Sequence, residues 1–149
     1  MVAIILMVSI FLRYFLLRSN NKRLYNSFMK YDDNNIFAKI LRGEIPCKKI
    51  YEDDFVLSFH DINPQKKIHA LVIPKGKYID LDDFSAKASP EEMVGLLKGI
   101  NTVAKKLEIS VDTGKGYRAL ANISEHGGQE VPHLHFHLFG GERVGKMVE

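Results

Sequence analysis

The stretch His133-Leu134-His135-Phe136-His137-Leu138-Phe139 places a histidine at every second position of an otherwise apolar run. In a β-strand, successive side chains point to opposite faces of the sheet. The alternation therefore predicts a strand with three histidines on one face and apolar side chains on the other, where they can dock on a core. Because imidazole has an unperturbed pKa near ~6.5, the histidine face is a candidate reaction centre.

A glycine-containing stretch, Glu125-His126-Gly127-Gly128-Gln129, comes shortly before the histidines. Such a backbone can turn its N–H groups towards anionic oxygens, and Asn122 and Gln129 add uncharged donors. This pattern favours attack of the central histidine on phosphorus, with a phospho-histidine type of intermediate. Alternating histidines can also ligate zinc, and the spacing alone leaves both hypotheses open.

Length and charge favour one nearly neutral globular domain within the 149 residues. The chain has 21 basic and 18 acidic residues, and four of the basic ones precede Met29, so the remainder is almost balanced. A domain with so little net charge lacks the positively charged surface by which proteins bind the phosphate backbone of nucleic acids. The single cysteine, Cys47, excludes an intrachain disulfide and fits a reducing compartment, so we expect a cytoplasmic protein.

The composition changes sharply near the start of the chain, where residues 2–17 are apolar except for Ser9 and Arg13. The run is shorter than the roughly 20 residues of a membrane span, and a charge lies inside it. We therefore divide the chain into an extension, 1–28, and a domain, 29–149. An upstream extension of the true start is favoured over a weak membrane anchor.

Residues from 33 onwards predict alternating short helices and strands. Asp33 or Asn34 can cap a short helix that ends at Gly43. Ser89 and Glu92 form the ends of a capping box that begins a long helix. Its expected core stripe consists of Met93, Leu96, Leu97, Ile100, Val103, Ala104 and Leu107.

Five segments read as strands: 49–52, 55–60, 68–73, 117–123 and 131–138. With one long and one short helix, they predict an α+β domain. Its fold is a five-stranded antiparallel sheet that is covered on one face.

The histidine stretch resembles the histidine–X–histidine–X–histidine signature of the histidine triad (HIT) superfamily. The trailing Gly140-Gly141 is similar to the Hint branch, the purine nucleoside phosphoramidases. Further segments resemble Hint segments in the same order, namely 36–46, 59–65, 69–75 and 127–129. The resemblance covers about residue 34 to about residue 141, and several ordered motifs are more specific than one.

This resemblance implies roles for individual residues. His135 would be the nucleophile, and His137 would contact the phosphate. His133 and the fourth histidine, His69, would complete a hydrogen-bond network behind it. The nucleotide and the leaving group would be bound by Ile36, Phe37, Ile40, Phe59, His60, Asp61, Ile62, Asn122, Gly128, Gln129, Glu130 and Val131.

Some of these residues also fit purely structural roles. The apolar members of the set suit an ordinary core, and Asp61 suits a cap of the following turn at Asn63-Pro64. His60 suits a partly exposed position. By resemblance, Asp61 would instead hold the ribose hydroxyls.

The resemblance further implies a homodimer whose two sheets join into one of ten strands. It also implies chemistry without a cofactor or a metal ion. One departure is Glu130, which stands where animal Hint proteins have a serine near the departing amine. Two other functions stay open: a dinucleoside polyphosphate hydrolase, and a nucleotide-binding or scaffolding module with vestigial catalysis.

Overall fold

A computed structural model describes residues 30–147 of the chain. The predicted extension, residues 1–28, lies outside the described residues. Within the described part, no helix combines the length and the apolar character that crossing a membrane requires.

The core of the fold is a five-stranded sheet in which every pairing is antiparallel. The strands are β1 (Lys49–Glu52), β2 (Val56–His60), β3 (Ile68–Pro74), β4 (Arg118–Leu120) and β5 (Phe136–Gly140). Their order across the sheet is β1-β2-β3-β5-β4. The predicted α+β class with a five-stranded antiparallel sheet is confirmed. In this order β3 and β5 are central neighbours, which places His69 and His137 side by side.

Within residues 30–147, four helices accompany the sheet: α1 (Ile36–Leu41), α2 (Leu81–Lys87), α3 (Pro90–Lys106) and α4 (Ser124–Gly127). The capping box at the start of α3 is confirmed, since Ser89 Oγ accepts from the Glu92 N–H and Glu92 Oε2 accepts from the Ser89 N–H. The predicted cap of α1 was wrong by one or two residues. Asn35 caps it, with Oδ1 2.9 Å from the Ala38 nitrogen.

The sequence did not predict α2 and α4, because both are short and lack a long apolar stripe. Residues 125–127 of the stretch expected to be a phosphate loop belong instead to α4, which begins at Ser124. Gly128 follows in the left-handed region, with φ of 71°, a conformation that glycine adopts without strain.

The last two predicted strands were too long. β4 covers only Arg118–Leu120 of the segment 117–123, and β5 begins at Phe136 rather than at residue 131. The reason is visible in the backbone. The His133 N–H bonds back to the Val131 carbonyl, and the Leu134 N–H donates to the Tyr78 carbonyl. These two bonds hold the segment away from the sheet until Phe136 pairs with Val72.

Apolar side chains are buried on both faces of the sheet, although the sequence predicted only one covered face. On one face, α3 packs over a core that includes Val56, Val72 and Leu138. On the other face, α1 contributes Phe37 to a smaller cluster with Phe59 and other strand residues. Alternation along β2 explains the arrangement, because its neighbouring side chains enter different clusters.

The stripe of α3 is narrower than predicted. Leu96, Ile100, Val103 and Ala104 are buried, whereas Leu97 is 67% exposed, so its assignment to the core was wrong. A helix of 3.6 residues per turn directs position 97 away from the line through 96, 100 and 103.

A substitution at Gly99 tests how tightly α3 packs on the sheet. A Cβ atom at position 99 would lie 2.6 Å from Cγ2 of the fully buried Val56. Helix propensity alone predicts that Gly99→Ala stabilises the protein by up to about 1 kcal/mol. Overpacking predicts a loss of about 1–3 kcal/mol, and we expect this loss in urea unfolding. Lys98→Ala, at an exposed position of the same helix, serves as the control.

Candidate active site

The three histidines converge on one site, although only His137 lies in β5. The prediction that they share one face of a single strand was therefore wrong for His133 and His135, which precede it. Their rings nevertheless stay close, because Phe37 contacts both of them edge-on at centroid distances of 6.1 and 5.1 Å. The rings of His135 and His137 lie 5.0 Å apart.

The hydrogen bonds of His135 fix which of its nitrogens carries a proton. Its Nδ1 lies 2.7 Å from the backbone carbonyl oxygen of His133. Because a carbonyl only accepts, Nδ1 must donate its proton, which leaves the lone pair on Nε2. Burial lowers the pKa of His135, so this neutral form prevails at neutral pH. The arrangement presents Nε2 as a nucleophile.

His137 has the opposite arrangement, which is imposed by His69. The Gln65 N–H faces Nδ1 of His69 at 3.3 Å, so His69 carries its proton on Nε2. That proton is donated to Nδ1 of His137, 2.8 Å away. His137 therefore bears its proton on Nε2, a buried atom without a hydrogen-bond partner among residues 30–147. Burial, the larger cause, and the neighbouring histidines lower the pKa of His137 to about 4.

Asp61 lies beside this pair and has two contacts. Its Oδ1 accepts from the Asn63 N–H at 2.7 Å, so the turn cap considered from the sequence is present. Its Oδ2 is 3.5 Å from Nε2 of His69. The pKa of His69 is lowered because burial outweighs the opposing effect of the Asp61 carboxylate. We therefore regard this contact as polar rather than as an ion pair.

Asp61, His69 and His137 are close enough to suggest a metal site, with candidate ligand atoms within 4.8 Å of one another. A metal-bound imidazole must offer a lone pair. Nε2 of His69 instead carries a proton, because its Nδ1 faces the backbone N–H of Gln65. The donor set thus fits a chain of hydrogen bonds better than it fits the zinc alternative.

A cavity of about 310 Å³ opens onto these groups. Many of the predicted site residues line it, namely Phe37, Asp61, His69, Asn122, Gly128, Glu130, Val131, His135 and His137. Asn63, Gln65 and Leu71 also line it and were missed. Alternation could have found Leu71, which follows His69 by two positions on β3 and pairs with His137.

The remaining predicted residues do not line this cavity. Phe59 and Ile40 belong to the cluster around Phe37. Ile36, His60 and Ile62 are exposed. Gln129 uses its amide within the protein, since Nε2 donates to the Ile79 and Val131 carbonyls and Oε1 accepts from the Ser124 N–H. His133 is fully buried behind the site.

Comparisons with known proteins point to one family of relatives. Residues 42–144 match the sequence profile of the HIT domain. The chain is 54% identical over 118 residues to a 13.2 kDa HIT-like protein of Azospirillum brasilense. The alignment covers 79% of this chain and 94% of that protein. It is 41% identical over 116 residues to the purine nucleoside phosphoramidase of Escherichia coli K12, covering 78% and 94%.

Among solved structures, the HIT family hydrolase of Clostridium thermocellum superposes with a TM-score of 0.71 at 35% identity. The match covers 79% of this chain and 99% of that one.

The buried neutral histidines make stability depend on pH. Burial lowers the pKa of His133 to about 4, whereas an unfolded histidine titrates near ~6.5. Between these two pH values the unfolded chain binds more protons than the folded chain. The contribution of neutral His133 to the free energy of unfolding is therefore complete above about pH 6.5, and it is lost as the pH falls towards about 4. We expect the free energy of unfolding to drop by at least about 2 kcal/mol from pH 7 to pH 5.

Urea unfolding at the two pH values measures this drop, and a His137→Gln protein should show a smaller one. Equal stability of the wild-type protein at pH 7 and pH 5 would contradict the assignment of neutral buried histidines.

Proposed function

This chain belongs to the HIT family, and on that basis we propose that it is a hydrolase that cleaves purine nucleoside phosphoramidates. One observation carries the proposal. A single cavity brings together the ring of His135, whose Nε2 keeps its lone pair, and the buried Nε2–H of His137, which has no acceptor among the described residues. A phosphoryl group bound there would meet a nucleophile and a hydrogen-bond donor at once.

In the first step, Nε2 of His135 attacks phosphorus and the phosphorus–nitrogen bond breaks. The departing amine takes up a proton from solvent water, and the nucleotide stays on His135 as a covalent adduct. The ring becomes positively charged, and the carbonyl oxygen of His133 faces its Nδ1–H at 2.7 Å. That carbonyl dipole stabilises the charge as it develops.

In the second step, water attacks the phosphorus of the adduct. The bond between phosphorus and Nε2 breaks, the attacking water gives up a proton to solvent, and the nucleoside monophosphate leaves, so His135 regains its lone pair. Nε2–H of His137 serves both steps, because it can donate to a phosphoryl oxygen throughout. The two steps use side chains, backbone groups and water, and we propose that no cofactor takes part.

The walls of the cavity suit a nucleoside. Phe37, Leu71 and Val131 offer apolar surface for a flat base. Asp61 lies in the same cavity and is our candidate for binding the ribose hydroxyls, for which it would exchange its contact with His69. The likeness to the E. coli purine nucleoside phosphoramidase supports a purine.

The charge of the cavity separates the two candidate enzymes. Its described lining contains two carboxylates, Asp61 and Glu130, but no lysine or arginine. Burial lowers the pKa values of the three lining histidines, so they add little positive charge. A dinucleoside polyphosphate carries several negative charges that such a cavity repels. A phosphoramidate with one negative charge fits better, which favours it over the polyphosphate.

The homodimer, the cytoplasmic location and the absence of a nucleic-acid partner stay predictions. Exposed Val94 and Leu97 on α3 and the position of β4 at an edge of the sheet support pairing with a second chain. The free Cys47 fits a reducing compartment. Membrane association through residues 2–17 lies outside the described residues.

Replacement of the nucleophile is the decisive test. We expect His135→Ala to lower turnover of an adenosine phosphoramidate by at least about a thousandfold, because no attacking nitrogen remains. The exposed His126 supplies a control, and His126→Ala should keep wild-type turnover. With a slowly hydrolysed substrate, mass spectrometry should find one adenosine monophosphate on His135 of the wild-type protein.

Wild-type turnover by the His135→Ala protein would show that the nucleophile is wrongly assigned. If neither protein hydrolyses the substrate but both bind adenosine monophosphate, the chain is a nucleotide-binding module instead.

Glu130 should influence which amine leaves. Its exposed carboxylate lines the cavity, and it acts on the pKa of His135. We expect Glu130→Gln to lower kcat/KM about three- to tenfold for an adenosine phosphoramidate of 1,2-diaminoethane, whose free amine is cationic. The matched ethylamine substrate should be hardly affected, because it offers no charge to attract.

Glu125→Gln is the control, since Glu125 is exposed on α4 and does not line the cavity. Equal effects of Glu130→Gln on the two substrates would exclude electrostatic selection of the leaving group by Glu130.

A further inference from the structure

The side chain of Tyr31 reaches the back of the candidate active site from the segment before α1. Its hydroxyl lies 2.5 Å from Nδ1 of His133, and the two rings meet edge-on at a centroid distance of 5.6 Å. Tyr31 does not line the cavity around His135. Its direct link to the site is therefore the hydrogen bond to His133.

The direction of this hydrogen bond follows from the other side of the His133 ring. Nε2 of His133 lies 2.9 Å from the Pro74 carbonyl oxygen, which can only accept. Nε2 therefore carries the proton, and Nδ1 must accept one from Tyr31. Burial raises the pKa of Tyr31 more strongly than the side chain of Asn35 lowers it, so the hydroxyl keeps its proton at neutral pH.

His133 is thus fixed at four points. Both ring nitrogens are hydrogen-bonded, its backbone N–H donates to the Val131 carbonyl, and its own carbonyl oxygen accepts from Nδ1–H of His135. The residue is fully buried, so an unsatisfied ring nitrogen would be costly. Without the Tyr31 hydroxyl, Nδ1 would be an unsatisfied buried acceptor, and rotation of the ring would break the bond to Pro74. Either change disturbs the carbonyl that orients His135.

We propose that Tyr31 is a positioning residue, which fixes His133 and through its carbonyl holds His135 in the tautomer that attacks phosphorus. This inference rests on the proposed function, since it assigns Tyr31 a part in the same reaction. Tyr31→Phe removes the hydroxyl and keeps the ring. We expect kcat for the adenosine phosphoramidate to fall roughly tenfold, with KM within about twofold, because the attacking nitrogen is less well aligned.

A spectroscopic readout accompanies the kinetics. In ¹⁵N spectra of histidine-labelled protein, the Tyr31→Phe change should move the His133 Nδ1 resonance towards that of an unbonded pyridine-type nitrogen. It should also give His135 a mixture of tautomers. Tyr51→Phe is the matched control, because the Tyr51 hydroxyl donates to Asp53 on the turn after β1. That variant should leave both kcat and the histidine spectrum unchanged.

Wild-type kcat in the Tyr31→Phe protein, or a single unchanged His135 tautomer, would overturn the positioning role. If the wild-type protein hydrolyses no phosphoramidate, the proposed function fails, and the His135 tautomers in the variant alone decide the role of Tyr31. Should the variant not fold, the wild-type spectrum decides. A hydrogen-bonded, unprotonated Nδ1 on His133 supports the inference, and a protonated one contradicts it.

Discussion

The site depends on one hydrogen bond, from Nδ1–H of His135 to the backbone carbonyl of His133. It sets the tautomer of the candidate nucleophile, and it places an oxygen dipole where positive charge would develop. The surrounding contacts serve to hold that carbonyl. The Leu134 N–H bonds to the Tyr78 carbonyl, and the His133 ring is held by Pro74 and Tyr31. The departure of this segment from the sheet is therefore part of the site's construction.

Burial of the histidines has a cost and a use. A buried imidazole resists protonation, which costs stability when the pH falls. The same resistance keeps a lone pair on His135 and a directed N–H on His137 at neutral pH. Because positive charge is thus excluded from these rings, the two carboxylates of the cavity dominate its electrostatics. The charge of a bound molecule is then a property to which this cavity responds.

Much of the fold was predictable from the sequence because it depends on local rules. Period-two alternation located the strands, and the capping box located the start of α3. The resemblance to the histidine triad superfamily, rather than any local rule, predicted that His69, Asp61 and Glu130 lie near the triad. It could not show that β5 begins only at Phe136, because the bonds to Val131 and Tyr78 are tertiary contacts. Leu97 was misassigned because apolar residues at helical spacing do not show how much of the helix surface the core covers.

The part of Tyr31 could not be predicted either, since its partner lies 102 positions away and no spacing rule connects them. Tyr31 and Phe37 both precede the residues 42–144 that match the HIT domain. Part of the cavity wall and the back of its hydrogen-bond chain therefore come from a segment that precedes those matched residues. Exchanging that segment between relatives would alter the environment of the triad without touching a histidine. Divergence in chemistry among proteins with identical triads can begin there.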